Sequence, residues 1–356
     1  MWQQSSYRKL NSILIFSIGF LLTSNVIAGN KGVAYVSNQD GGVTVIDLDT
    51  LEIKEGVSVG AKSPRGIGVT ANGKWLITAN KDDGNISVID TSGAAKPKFI
   101  AIGKNPEFVR VLGNRAYVTY EPSAKSASPS KFVSEAKKED DDDDKIPGRI
   151  AIVDLAKGKV VKEIIGKPET EGVEFSRDGK RLIVTNESDN SITVHDIKSG
   201  KLLKSVLVGK YGERPRGINT SPDGKMYAVT LELSDKMLVL NDKFEVIKEV
   251  ATGKSPYGVS FDRDGKRIFV AANKEKALQV FDAKTFEKIK DIPTGERCWH
   301  FSFTPNDEHL LLACGKSNEV IVIDAKTLEV TKRIPDKEMP WGIVTYPKSI
   351  GSIDRP

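Results

Sequence analysis

The chain has 356 residues, with 53 Lys and Arg against 48 Asp and Glu, 39% hydrophobic residues, 31 Gly and 2 Cys. This composition excludes a disulfide-stapled miniprotein, a coiled coil, a collagen and a disordered acidic tail; it suits a globular chain long enough to bury a sizeable core. Length alone would suggest two domains at roughly 150 residues each, an estimate that fails for closed β-architectures.

At the N-terminus, Arg8 and Lys9 precede the apolar run from Ile13 to Leu22, and Val26-Ile27-Ala28 carries small residues at the positions a signal peptidase reads. Residues 1–28 are therefore expected to be a secretory signal peptide cut near Ala28, giving a periplasmic or secreted protein. The alternative, a membrane anchor, needs roughly 20 apolar residues, and this run is about half that. Losing Arg8 and Lys9 lowers the formal charge from +5 to +3, too evenly spread to argue for nucleic acid or a membrane surface.

From residue 29 onward a repeat organises the sequence. Seven β-rich pentamers end in Asp or Asn: Val43–Asp47, Ile86–Asp90, Ile150–Asp154, Ile192–Asp196, Met237–Asn241, Leu278–Asp282 and Val320–Asp324. Their ends recur about every 42 residues, with one insertion. A hairpin turn such as Ser221-Pro-Asp-Gly-Lys225 comes about 20 residues before the pentamer, and Pro-x-Gly opens the strand ahead of that turn at Pro64, Pro215, Pro256 and Pro340. The β-branched runs bounded by turn residues disfavour helix. Apolar strands without clean alternation, such as Arg267-Ile-Phe-Val-Ala271, imply burial on both faces. The fold class is thus all-β: a seven-bladed β-propeller with four-stranded blades. Its ring is closed when the C-terminal strand at Pro340–Thr345 joins the N-terminal blade.

The insertion, residues 121–147, contains Lys137-Lys-Glu followed by five Asp and Lys145. It is expected to form a flexible acidic loop between the second and third strands of blade three. Five consecutive Asp could attract Ca²⁺ or a basic partner, but Ca²⁺ sites need ligands spaced to wrap the ion, so a solvated charge run is the simpler reading.

Tyr35-Val-Ser-Asn38, Ile183-Val-Thr-Asn186, the Ser-Pro-Asp-Gly-Lys turn and the Val-x-Val-Ile-Asp pentamers resemble the YVTN-type seven-bladed β-propeller repeat over the whole mature chain. Trp299 and the closing Pro340-Trp-Gly-Ile-Val-Thr-Tyr-Pro347 further resemble exported propellers associated with PQQ-dependent catabolism. The resemblance implies an accessory or binding protein and carries no agreed catalytic set.

Superposing the modules at the Pro-x-Gly marker puts Arg65, Glu107, Glu171, Arg216, Tyr257, Trp299 and Trp341 at equivalent positions, at one mouth of the central channel. Aromatic faces stack and guanidinium forks grip carboxylates, so this ring suits a small planar or anionic ligand, or a protein partner. Equally, it could merely plug the channel with paired charges and rings.

The sixth module in the order of that marker departs most from the repeat. His300 replaces Gly in Cys298-Trp-His300, and Cys314 takes the slot of Asn38, Asn80 and Asn186. In an oxidising compartment a Cys298–Cys314 disulfide is the favoured reading; a soft-metal site from Cys298 and His300, on one strand face, is the alternative. His195 reads as a core residue and His309 aligns with Trp75.

No CxxCH, GxSxG, HExxH or phosphate-binding Gly loop occurs, and no catalytic residue or cofactor is assigned. The leading expectation is an exported non-catalytic propeller that binds a ligand or protein as an accessory to a periplasmic redox or PQQ-linked pathway. The first alternative is a channel-mouth hydrolase or lactonase-like enzyme, or a metal or cofactor carrier, using His300, Cys298 and the Arg/Glu ring. The second is a surface or nucleic-acid binding module, supported only by a pI near 8.9.

Overall fold

The computed structural model describes residues 31–54, 56–121, 146–336 and 338–354. The expected signal peptide at 1–28 and residues 122–145 of the insertion lie outside the described residues.

Seven antiparallel sheets follow one another along the chain. Blade 1 holds β1 (Val33–Asn38), β2 (Val43–Asp47) and β3 (Glu52–Ile53). Blade 2 is β4 (Pro64–Val69), β5 (Trp75–Asn80), β6 (Asn85–Asp90) and β7 (Lys98–Ala101). Blade 3 is β8 (Val109–Leu112), β9 (Arg115–Tyr120), β10 (Pro147–Asp154) and β11 (Lys159–Pro168), with the insertion between β9 and β10, its second and third strands. Blade 4 is β12 (Thr170–Phe175), β13 (Arg181–Asn186), β14 (Ser191–Asp196) and β15 (Leu202–Leu207). Blade 5 is β16 (Pro215–Thr220), β17 (Met226–Leu231), β18 (Lys236–Asn241) and β19 (Val246–Ala251). Blade 6 is β20 (Pro256–Phe261), β21 (Arg267–Ala272), β22 (Ala277–Asp282) and β23 (Lys288–Pro293). Blade 7 is β24 (Cys298–Phe303), β25 (His309–Cys314), β26 (Glu319–Asp324) and β27 (Val330–Pro335). The last long strand, β28 (Pro340–Tyr346), pairs with β1 and completes blade 1, so the ring closes by joining the two ends of the chain.

Composition across each blade explains the radial order. Inner strands are buried along their length, as in β20 and β24, and their apolar side chains pack between neighbouring sheets. The outermost strands carry Lys with Glu or Asp, as in Val246-Ile-Lys-Glu-Val-Ala251 and Lys288-Ile-Lys-Asp-Ile-Pro293. Charges on these exposed edges oppose edge-to-edge pairing between molecules.

Inner strands approach one another closely near the channel axis. A Cβ on Gly217 would lie 2.1 Å from the Tyr257 carbonyl oxygen, and one on Gly258 2.4 Å from that of Trp299. Glycine is therefore required there by the neighbouring backbone rather than by its own dihedrals. Hydroxyls on the second strands of blades 1, 4 and 5 then tie each of these blades to the next. Thr185 donates to the Arg216 carbonyl at 2.8 Å, Thr230 to that of Tyr257 at 2.7 Å, and Ser37 to that of Arg65. In each case the acceptor is the carbonyl of a residue in the predicted ring, so the repeat itself fixes the backbone at the channel mouth.

One element was not legible in the sequence. Beyond β28 the chain turns back, and β29 (Ile350–Gly351) pairs with the inner strand β24, making blade 7 five-stranded. This tail enters the channel toward the far ends of the inner strands. Asn219 Nδ2 donates to the Gly351 carbonyl at 3.2 Å, Arg110 Nη2 to the Ser352 carbonyl at 3.3 Å, and Ile353 is buried in the central apolar cluster.

Cys298 and Cys314 face each other across the β24–β25 pair, with Cα atoms 3.8 Å apart, and are joined by a disulfide. Because the sulfurs bond each other, the soft-metal alternative at Cys298 and His300 has no thiolate to offer. No group of three or more potential metal ligands is found among the described residues. The module expected as sixth is the seventh blade in chain order, because β4, the first to carry the marker, opens blade 2. With a sequence separation of 16, the bridge is expected to contribute about 3 kcal/mol by constraining the unfolded chain. Denaturant titration of the Cys298→Ser/Cys314→Ser protein should show this loss, and thiol titration of the denatured, unreduced protein should find no free thiol.

Candidate active site at the channel mouth

The first residue after each blade-opening Pro, or its equivalent, sits where the inner strand begins. The chain reaches this point through a residue with left-handed φ: 52° at Ser63, 62° at Arg214, 57° at Ser255 and 58° at Met339. The ring residue follows this turn by two positions, after the Pro. The structure thereby gathers Arg65, Glu107, Glu171, Arg216, Tyr257, Trp299 and Trp341 at one end of the channel.

The charges form two Arg–Glu systems on adjacent arcs of the mouth, one over blades 2 and 3 and the other over blades 4 and 5. On one, Arg65 Nη1 forks onto the Glu107 carboxylate, reaching its Oε2 at 2.6 Å, while Arg65 Nε donates to Gln39 at 3.0 Å. On the other, Arg216 Nη2 donates to Glu171 at 2.9 Å, and Arg216 Nε reaches Glu187 and lies 3.3 Å from Glu232. Arg214 adds a second cation, 2.5 Å from Glu187 and 3.7 Å from Glu232. The Arg216 guanidinium also stacks 4.5 Å above the Tyr257 ring, a cation–π contact.

Burial sets the protonation pattern. It raises Glu171 well above the ordinary carboxyl value; Arg216 pulls it back only in part, and Glu107 and Glu187 push it further up. Glu187 is raised for the same first reason, against the pull of Arg216 and Arg214. Burial works against the Arg216 charge, but Glu171 and Glu187 more than offset it, and the guanidinium stays firmly protonated. Tyr257 is pushed well up by burial and remains a neutral phenol. The result is a fixed cation beside a carboxyl group that holds its proton unusually high, the pairing from which acid–base chemistry is built.

Below this layer the channel is filled by rings. Phe108 and His300 stand where five other blades carry Gly, and they meet edge to face at 5.6 Å. His300 lies 4.4 Å from Trp341 and 5.3 Å from Tyr257, centroid to centroid. Trp299 is buried with its ring against Gly315. Rings thus fill the channel one layer below the charges, and each Arg of the charged layer is paired with a carboxylate. His195 is buried in blade 4, beside the Gly200 backbone, and is remote from this layer. His309 lies at the opposite end of β25 from Cys314.

Sequence reasoning missed Glu187, Glu232 and Arg214. A periodic signal for the first two existed: each stands one residue past the end of its blade's second strand, at the position Gln39 occupies in blade 1. Arg214, the residue before Pro215, is brought in only by its left-handed turn.

Comparison with known proteins bears on the same region. A family described as "Lactonase, 7-bladed beta-propeller" matches residues 154–242. The chain is similar to lactonases there. That stretch contains Glu171, Glu187, Arg214, Arg216 and Glu232, the whole of the larger Arg–Glu system. No curated protein matches the chain. Among solved structures, a putative 6-phosphogluconolactonase from Bacteroides uniformis superposes with a TM-score of 0.70 at 17% identity, covering 88% of this chain and 99% of that one. The periplasmic gluconolactonase of Pseudomonas aeruginosa gives 0.67 at 14%, covering 90% and 99%. Hydrazine synthase of Kuenenia stuttgartiensis gives 0.68 at 19%, covering 83% and 93%. At such identities the likeness is one of fold.

Proposed function

We propose that the channel mouth is the active site of a hydrolase acting on a small cyclic ester of the sugar-lactone class, in a protein exported by its N-terminal signal. The observation that carries this reading is Glu171: a carboxyl group raised by burial, held by Arg216 at 2.9 Å and within the electrostatic reach of Arg65 and Glu107. Opening a lactone needs a base to take a proton from water, a cation for the oxygen on which charge develops, and a proton for the leaving oxygen. Ionised Glu171 takes the proton of the attacking water as the water oxygen bonds to the carbonyl carbon. The carbonyl oxygen becomes an oxyanion stabilised by the guanidinium layer. When the ring C–O bond breaks, the proton on Glu171 passes to the leaving alkoxide, giving the open hydroxy acid.

The family match over residues 154–242 supports this reading over the non-catalytic one. One observation favours the binder: Arg65, Arg214 and Arg216 are all already paired with carboxylates. The two separate kinetically. Glu171→Gln keeps the shape and removes the base, so kcat/KM for D-glucono-δ-lactone should fall by about 100-fold or more while stability holds. The acid limb of the wild-type rate should lie above the ordinary carboxyl value of 4.5. An unchanged rate in the variant would remove Glu171 from the mechanism.

A further inference from the structure

The floor of the mouth contains a buried nitrogen that neither the fold nor the charged layer accounts for. His300 is fully buried, and its Nε2 has no hydrogen-bond partner among the described residues. Its Nδ1 is partnered, 3.0 Å from the Ser352 hydroxyl on the C-terminal tail. The same hydroxyl oxygen accepts from the Phe301 N–H at 3.0 Å and lies 3.3 Å from the Phe301 carbonyl.

A serine hydroxyl has one proton and two lone pairs, which leaves two arrangements. In the first, Ser352 donates to the Phe301 carbonyl and accepts from both Phe301 N–H and His300 Nδ1–H, so Nε2 is left with a lone pair. In the second, Ser352 donates to Nδ1, and the orphan at Nε2 is an N–H. Orphaned buried N–H groups are the rarer of the two in proteins, and 3.0 Å is the ordinary length of an N–H···O bond. Both points favour the first arrangement. Burial, with the nearby charges of Arg216 and Arg110, holds the ring well below the ordinary imidazole value, so it stays neutral.

We propose that Ser352 is a positioning residue: it fixes His300 as the Nδ1-protonated tautomer and so presents the Nε2 lone pair, walled by Phe108, Tyr257 and Trp341, as the acceptor for a hydroxyl of the bound ligand or for the attacking water. The ligand's identity rests on the hydrolase reading; the tautomer does not. The tail is thus part of the site from below, through a residue outside the repeat.

The test uses the full mature chain with ¹⁵N-labelled histidine. There are three His in the sequence, and His300→Gln identifies the resonances of interest. Wild type should show Nδ1 protonated and Nε2 pyridine-like, unchanged from about pH 5 to 8. Ser352→Ala should move the ring toward the Nε2-protonated form, and Ser352→Thr should restore the wild-type pattern. With D-glucono-δ-lactone as probe, kcat/KM in Ser352→Ala should fall roughly tenfold, the size of one lost hydrogen bond, and recover in Ser352→Thr. A wild-type spectrum with the proton on Nε2, or one that Ser352→Ala leaves unchanged, would overturn the proposal; the first needs no variant to fold. If wild type does not open the lactone, the hydrolase reading fails while the nitrogen spectra still decide the role of Ser352.

Discussion

Arg216→Ala is expected to lower stability at neutral pH by about 3–5 kcal/mol, the usual cost of removing one partner from a buried ion pair. Three carboxylates converge on this guanidinium, and Glu171 and Glu187 keep only partial compensation from Arg65 and Arg214. The loss should depend on pH. Glu171 and Glu187 have folded values raised above the ordinary 4.5, so the stability they contribute is fully present below 4.5 and lost as pH rises through the folded values. Without Arg216 those values rise further. The difference between variant and wild type should therefore be small near pH 4.5 and grow toward pH 8, as read by denaturant unfolding at both ends. Arg216→Lys keeps a charge but cannot reach Glu171 and Glu187 with a planar fork, and should recover only part of the loss. A deficit independent of pH would contradict the assignment of buried, proton-holding carboxyls.

The second large effect is expected at Arg110, which lies fully buried on the channel axis. Its Nε donates to the Val173 carbonyl at 2.6 Å, its Nη2 to those of Ile218 at 3.1 Å and Ser352 at 3.3 Å, and its Nη1 lies 3.4 Å from Glu174. One side chain from blade 3 thus holds the inner strands of blades 4 and 5 and the returning tail. Arg110→Met fills much of the volume but leaves Glu174 and three carbonyls short of a donor, and should also cost about 3–5 kcal/mol. Glu174→Gln in the same background should restore part of it, since the pair is coupled and the double loss is not additive. Hydrogen exchange at residues 350–353 should accelerate in Arg110→Met more than exchange in the outer strands. Equal effects in both places would mean that Arg110 does not tether the tail.

The repeat made most of the fold legible. Pentamer spacing set the blade count, the displaced strand at Pro340 set the closure, and the shared position after each blade-opening Pro brought seven side chains to one mouth. These features are periodic, so each blade reinforced the others. What escaped lies outside the period. Ser352 and the rest of the tail follow the last module and have no counterpart to be aligned with. Arg110 looked like an ordinary strand residue, because its role depends on backbone carbonyls of other blades, which no sequence pattern displays. The placing of rings below charges was also hidden, since His300 read only as a break at a Gly position and nothing in the sequence marked Phe108 as its partner across the channel. Cys298 and Cys314, by contrast, were readable because a hairpin forces its first and last residues to face each other.

Whether the mouth catalyses rather than only binds is decided by the initial rate of D-glucono-δ-lactone opening by the purified protein. A saturable rate above spontaneous hydrolysis, lowered about 100-fold or more in Glu171→Gln, is expected. A rate equal to that of buffer, with D-gluconate still bound and its binding lost in Arg65→Ala, would contradict it and establish the propeller as a binding module.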